Sequence, residues 1–216
     1  MRTRSERGTL AGARPWGRHA TEAAAGVGLL AVSWLALSDA TDTVPAWEIE
    51  AFEAVNGLPD WVRWAVWPVM QLGNFWMVVV SGAGVYALTR RVRPAVAASL
   101  AVLIAWVAAK IVKGLIERGR PGELLDGVEL REAGLHGQGY VSGHTAIAFA
   151  VATVLTPLLP GRWRPVPFAV ASLVALSRLY FGAHLPLDVV GGAGIGILSG
   201  LLASVVCGTV DPVHDR

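Results

Sequence analysis

Six apolar segments of near-membrane-spanning length constrain this chain more than any other feature. They run from about Thr21 to Ser38, Trp64 to Leu88, Pro94 to Ile111, His144 to Leu159, Pro165 to Phe181 and Leu187 to Gly208. A spanning helix needs about 20 mostly apolar residues. Composition agrees: 54% of the 216 residues are hydrophobic, only 16% are charged, and mean hydropathy is +0.52. A soluble domain carries about 25% charged residues. The pattern predicts an all-α protein, a six-helix integral membrane bundle over residues 21–210. Residues 1–20 form a basic tail and 211–216 a short C-terminal one. A cleaved signal peptide is the competing reading of the N-terminus, but no clean small-residue cleavage site follows Leu37.

The polar connections carry the topology. Arg2, Arg4, Arg7, Arg14 and Arg18 precede the first segment, Arg90, Arg91 and Arg93 follow the second, and Arg162 and Arg164 follow the fourth. Basic residues accumulate on the cytoplasmic side. Both termini are therefore expected in the cytoplasm, with the segments 39–61 and 112–141 and the turn before the sixth helix outside. Segment 39–61 holds Asp39, Asp42, Glu48, Glu50, Glu53 and Asp60 without a Lys or Arg. Trp47, Ile49, Phe52 and Val55 suggest an apolar stripe and hence an interfacial amphipathic helix after Pro45. A solvated acidic loop is the alternative. In the sixth segment Gly192, Gly196, Gly200 and Ser204 recur every fourth residue, a stripe on which a neighbouring helix can pack closely. The run Gly191 to Gly196 fails the dinucleotide-binding spacing. The net charge of +2 gives no reason to expect a nucleic-acid partner. Cys207 is the sole cysteine, and the sequence has no H-x-E or H-E-x-x-H motif, so neither a metal nor another cofactor is expected.

Polar residues at the ends of membrane helices are costly and often functional. Here they gather on the expected outer side: Lys113, Arg120 and Pro121 after the third helix, Ser142, Gly143 and His144 opening the fourth, Ser177 and Arg178 ending the fifth, His184 and Asp188 opening the sixth. Three cations, Lys113, Arg120 and Arg178, call for an anion. Phosphate offers the charge and the acceptor edges that arginine forks match. Ser142 stands where it can cap a helix whose free N–H groups and dipole favour an anion, and Gly143 lets the backbone come close. His184 and Asp188, four residues apart, share a face. A carboxylate on one ring nitrogen leaves the other free to attack. His184 is then the nucleophile, Asp188 its orienter and His144 the general acid. Taken singly, each residue has an ordinary explanation as a cap, an interfacial anchor or a charged loop. His19 and His214 lie in tails, and His136 has no partner set for a metal.

Together these residues make the sequence resemble the type 2 phosphatidic acid phosphatase family, whose signatures are K-x6-R-P, P-S-G-H and S-R-x5-H-x3-D. The first reads KGLIERGRP from Lys113 to Pro121, the second VSGH from Val141 to His144, and the third SRLYFGAHLPLD from Ser177 to Asp188. Val141 replaces the proline of the second signature, a position without a catalytic group. The resemblance implies the membrane branch of the family. It implies phosphate binding by Lys113, Arg120, Ser142, Gly143 and Arg178, catalysis by His144, His184 and Asp188, and hydrolysis without a metal. Soluble vanadium haloperoxidases are relatives of the family.

The expectation is therefore a multi-pass cell-membrane phosphatase with an extracytoplasmic active-site loop. It would hydrolyse a phosphate or diphosphate ester of a lipid, such as a polyprenyl diphosphate or phosphatidate, through a phosphohistidine. Its partners would be a phospholipid or polyprenyl phosphate substrate and the bilayer itself. Two alternatives share the scaffold: a phosphotransferase that passes the phosphoryl group to an alcohol, and a non-catalytic lipid-binding or transport protein.

Overall fold

A computed structural model describes residues 15–38 and 43–209. The described residues form helices, 3-10 turns and loops, with no strand. In chain order the α-helices are α1 Pro15–Ser38, α2 Ala46–Asn56, α3 Val62–Met70, α4 Met77–Thr89, α5 Val92–Leu115, α6 Pro121–Leu124, α7 Gly143–Leu155, α8 Pro165–Tyr180 and α9 Pro186–Val206. Most of the expected tail 1–20 lies outside the described residues, but α1 already begins at Pro15. The expected C-terminal tail 211–216 also lies outside them.

Among the described residues, three helices are long and apolar enough to cross a membrane: His19–Leu37 within α1, α5 and α9. The expected second span is not one helix. It divides into α3, a 3-10 turn over Gln71–Gly73, and α4, which together bend by 85°. Pro68 lacks an amide to donate within α3, and Gly73 and Asn74 are poor helix formers. Asn74 is extended, so the chain turns there before α4 starts. The expected fourth span is a 13-residue α7, prolonged by a 3-10 turn over Thr156–Leu158.

Helix α9 is the centre of the bundle, packed against α7, α1 and α5, while α8 packs on α7 and α3. The small-residue stripe explains the first of these contacts. A Cβ on Gly192 would stand 2.6 Å from the Ser142 carbonyl oxygen, one on Gly196 2.5 Å from that of Ala146, and one on Gly200 2.6 Å from Thr153 Cβ. Only glycine lets the two backbones meet this closely. Ser142, the N-cap of α7, is locked to α9 as well: its amide donates to the Asp188 carbonyl at 2.9 Å.

Segment 39–61 contains the expected helix, and polar residues share its buried side with the apolar ones. Trp47 is exposed, Ile49 and Val55 are half-buried, and the buried line is Glu48, Phe52 and Asn56. These three recur every fourth residue, and α2 docks through them onto the ends of α8 and α9. Asn56 anchors the end of α2 opposite Glu48: its Nδ2 donates to the carbonyls of Glu129, Leu179 and Tyr180, and its Oδ1 accepts from the Glu129 amide. Asn56 thereby satisfies backbone groups at the end of α8 that no helix partner reaches.

Candidate active site

The ends of α5, α7 and α8, the turn before α9, and the loop from Ile116 to Val141 enclose a cleft of about 340 Å³. Lys113, Arg120, Gly143, His144, Arg178 and His184 line it. Six of the eight residues given a binding or catalytic role from the sequence thus share one cavity. The other two, Ser142 and Asp188, lie fully buried behind its wall. Lys113 belongs to the last turn of α5, which runs four residues beyond its expected end at Ile111. Arg178 is in the last turn of α8, and Gly143 and His144 open α7.

Each cation is held in place. Lys113 Nζ donates to the carbonyls of Gln138 and Gly139 at 2.7 and 3.0 Å. Arg120 donates through Nε to Gly137, through Nη1 to Ala183 and through Nη2 to His136. Arg178 pairs with Glu132 at 2.7 Å and touches the Met70 thioether. A carboxylate therefore rests against one of the cationic groups of the cleft.

The α7 terminus supplies a second kind of positive potential. Ser142 Oγ accepts from the Thr145 amide at 3.4 Å and from the Thr145 hydroxyl at 3.0 Å. It caps the helix from within the protein, so its hydroxyl is turned to α7 and not to the cleft. The first amides of α7, at Gly143 and His144, are those an anion at this helix end would meet.

His184 is almost completely buried, and its Nδ1 lies 3.5 Å from Asp188 Oδ2. That is a close electrostatic contact, longer than an ordinary hydrogen bond. It leaves Nε2 as the nitrogen without a protein carboxylate. Burial pushes the His184 pKa down to about 3, against the opposing pull of Asp188. The imidazole is consequently neutral at physiological pH, the form with a lone pair to donate. Asp188 Oδ2 also accepts from the Leu185 amide at 2.9 Å, which closes the first turn of α9 on itself.

Several residues of this region escape sequence reasoning. Arg118 resembles one more loop charge, yet it is fully buried between Glu48 at 2.6 Å and Asp188 at 2.8 Å. Burial alone would lower its pKa, but the two carboxylates hold it above the ordinary arginine value. Its carboxylate partners each stand 70 residues away, so no local spacing announces them. Gly73, Asn74 and Phe75 from the break between α3 and α4 form a wall with Trp106, whose ring lies 4.7 Å from that of Phe75. Lys110 Nζ sits 4.1 Å from the Trp106 ring centre at the same cleft. The one available signal was Gly73-Asn74 inside an otherwise apolar run.

Comparison with known proteins agrees with this architecture. The model of the PAP2 superfamily matches residues 94–210, which contain every one of the eight residues above. Decaprenylphosphoryl-5-phosphoribose phosphatase of Mycobacterium tuberculosis is 30% identical over 135 residues, 62% of this chain and 72% of that protein. Lipid A 1-phosphatase of Porphyromonas gingivalis is 42% identical over 76 residues, 34% of this chain, and the match spans only 17% of that protein. The crystal structure of Aquifex aeolicus LpxE superposes with a TM-score of 0.67 at 28% identity, covering 74% of this chain and 95% of that one. That of a transmembrane PAP2 type phosphatidylglycerolphosphate phosphatase from Bacillus subtilis gives 0.66 at 23% identity, covering 88% and 100%. With its apolar helices and this cleft, the chain belongs to the PAP2 superfamily as a multi-pass membrane protein.

Proposed function

We propose that the protein is a membrane lipid phosphate phosphatase that hydrolyses its substrate through a phosphohistidine on His184, without a metal. The observation that carries this reading is the shared cleft. A neutral, carboxylate-backed imidazole opens into a cavity ringed by Lys113, Arg120 and Arg178 and faced by the N-terminus of α7. The relatives named as phosphatases of lipid A and of a decaprenylphosphoryl phosphoribose support the lipid class of substrate.

The phosphate is bound by the three cations and by the amides of Gly143 and His144, with Ser142 holding the turn that presents them. These donors bear on charge that grows on the phosphoryl oxygens as phosphorus is attacked. His184 Nε2 forms the N–P bond while the bond from phosphorus to the lipid oxygen breaks. His144 gives its proton to that oxygen, which leaves as an alcohol or a phosphate ester. Water then attacks phosphorus, passes a proton to His144, and the N–P bond breaks to release phosphate. Asp188 holds the His184 ring and offsets the positive charge the ring acquires on attack.

Both termini are placed in the cytoplasm and the cleft on the outer face, as the arginine distribution supports. There a headgroup reaches the cleft while its chains remain in the bilayer. Polyprenyl diphosphate and phosphatidate head the list of substrates. The test is phosphate release from defined lipids by the purified protein in detergent, with and without added alcohol acceptors. Free phosphate should appear from at least one lipid and not from a His184→Ala variant. A phosphorylated alcohol in place of phosphate would identify a transferase, and binding without turnover a non-catalytic protein.

A further inference from the structure

Glu48, Arg118 and Asp188 form a line of charge with none of its side chains exposed to solvent. The line begins on α2, outside the part of the chain that matches the family model, and ends at the residue behind His184. No residue of α2 lines the cleft. Burying three charges is expensive and is tolerated when their hydrogen-bonding groups are paired. Here they are. Arg118 Nη1 donates to Asp188 Oδ1 and Nη2 to Glu48 Oε2, while Glu48 Oε1 accepts from the Leu187 amide at 2.9 Å. Asp188 Oδ2 is left for the Leu185 amide and His184.

We infer that Glu48 and Arg118 are positioning residues for catalysis: they fix which oxygen of Asp188 faces His184 and set the net charge that His184 experiences. The inference rests on the role proposed above for His184. The charge count explains why both are needed. Arg118 alone against Asp188 would make a neutral pair with little pull on an imidazolium. Glu48 shares the guanidinium, so the buried set carries one net negative charge. That charge offsets the positive charge His184 gains when Nε2 bonds to phosphorus. The set is complementary to the attacked state more than to the resting one, which is where binding energy accelerates a reaction. Glu48 also holds the amide of Leu187, next to Asp188, so it fixes the first turn of α9 as well as the charge.

The test separates this role from simple docking of α2. Glu48→Gln keeps the shape and a hydrogen-bond acceptor but removes the charge. It should lower kcat about 10- to 100-fold with KM within about threefold, the mark of an interaction made in the transition state. It should slow formation of the phosphorylated enzyme by a similar factor. Asn56→Ala loosens the same helix without touching the charges, and should lower the unfolding temperature while leaving kcat near wild type. Arg118→Met should lose kcat, and Arg118→Lys should recover part of it. In an Asp188→Asn background, Glu48→Gln should add little further loss, because its effect passes through Asp188. Wild-type kcat in Glu48→Gln, an equal kcat loss in Asn56→Ala, or full additivity with Asp188→Asn would overturn the inference. If Arg118→Met does not fold, the Glu48 and Asn56 comparison decides alone. Activity surviving in His184→Ala would instead overturn the nucleophile assignment, a separate failure.

Discussion

Gly73, at the bend between α3 and α4, lies against His144, in the first turn of α7. A Cβ on Gly73 would stand 2.7 Å from both the Cβ and the carbonyl oxygen of His144. The bend that interrupts the expected second span is thus also the surface on which the proposed general acid rests. Gly73→Ala must push His144 or the bend aside. Overpacking of this kind costs about 1–3 kcal/mol. It should lower both the unfolding temperature and kcat, as thermal melts and phosphate release would show. Gly84→Ala, on α4 with no other element within 4 Å of the added methyl, should leave kcat unchanged and should not lower the unfolding temperature. Wild-type turnover in Gly73→Ala would mean that His144 does not need this seat.

Replacing His144 itself should reveal its role through the leaving group. A general acid supplies roughly 10²–10⁴-fold. His144→Ala should therefore lose about that factor on an alkyl lipid phosphate, and much less on an aryl phosphate whose phenolate leaves unaided. Equal losses on both substrates would make His144 a phosphate ligand only.

Glu132 holds Arg178 with a carboxylate where the proposed substrate brings a phosphate. The two anions compete for one guanidinium. Glu132→Ala should tighten inhibition by inorganic phosphate or vanadate, by about three- to tenfold for a pair this open to solvent on its acidic side. Weaker inhibition in Glu132→Ala would show instead that Glu132 aims Arg178 at the phosphate.

His184 couples stability to pH. Its folded pKa of about 3 is below that of an unfolded histidine, so the folded protein resists a proton that the unfolded chain accepts. Its contribution is complete above pH about 6.5 and is lost as pH falls toward 3. Thermal unfolding in detergent should decline more steeply over this window for wild type than for His184→Gln. Parallel curves would mean that the histidine is not buried neutral.

Orientation is open to labelling. In a Cys207→Ser background, a cysteine at Gln138 should react with an impermeant maleimide on intact cells. One at Arg91 should react only after the membrane is opened. The reverse pattern would place the cleft on the cytoplasmic face and remove outer-leaflet lipids as substrates.

Much of this molecule is legible in its sequence because the relevant signals are local. The Gly192, Gly196 and Gly200 stripe is set by helix periodicity alone, and it packs on α7 as its spacing suggests. The three short signatures place Lys113, His144, Arg178 and His184 at helix ends, and those ends converge on one cleft. What stayed hidden depends on distant pairing. Arg118 and Glu48 read as surface charges because hydropathy counts each residue alone, and only the fold brings them together under cover. The bend at Gly73-Asn74 was masked by the apolar residues on both sides, which keep average hydropathy high while the backbone turns. The burial of Glu48 on α2 is hidden for the first reason: its partner Arg118 covers it from 70 residues away.

The most direct measurement is trapping of the phosphorylated enzyme. Purified protein mixed with a ³²P-labelled lipid phosphate and quenched in alkali should carry radiolabel that is stable to base and lost in mild acid, as expected of a phosphohistidine. The label should be absent from His184→Ala and present in a variant such as Gly84→Ala. Label retained in His184→Ala, or rapid phosphate release by wild type with no labelled enzyme at any time, would contradict the account.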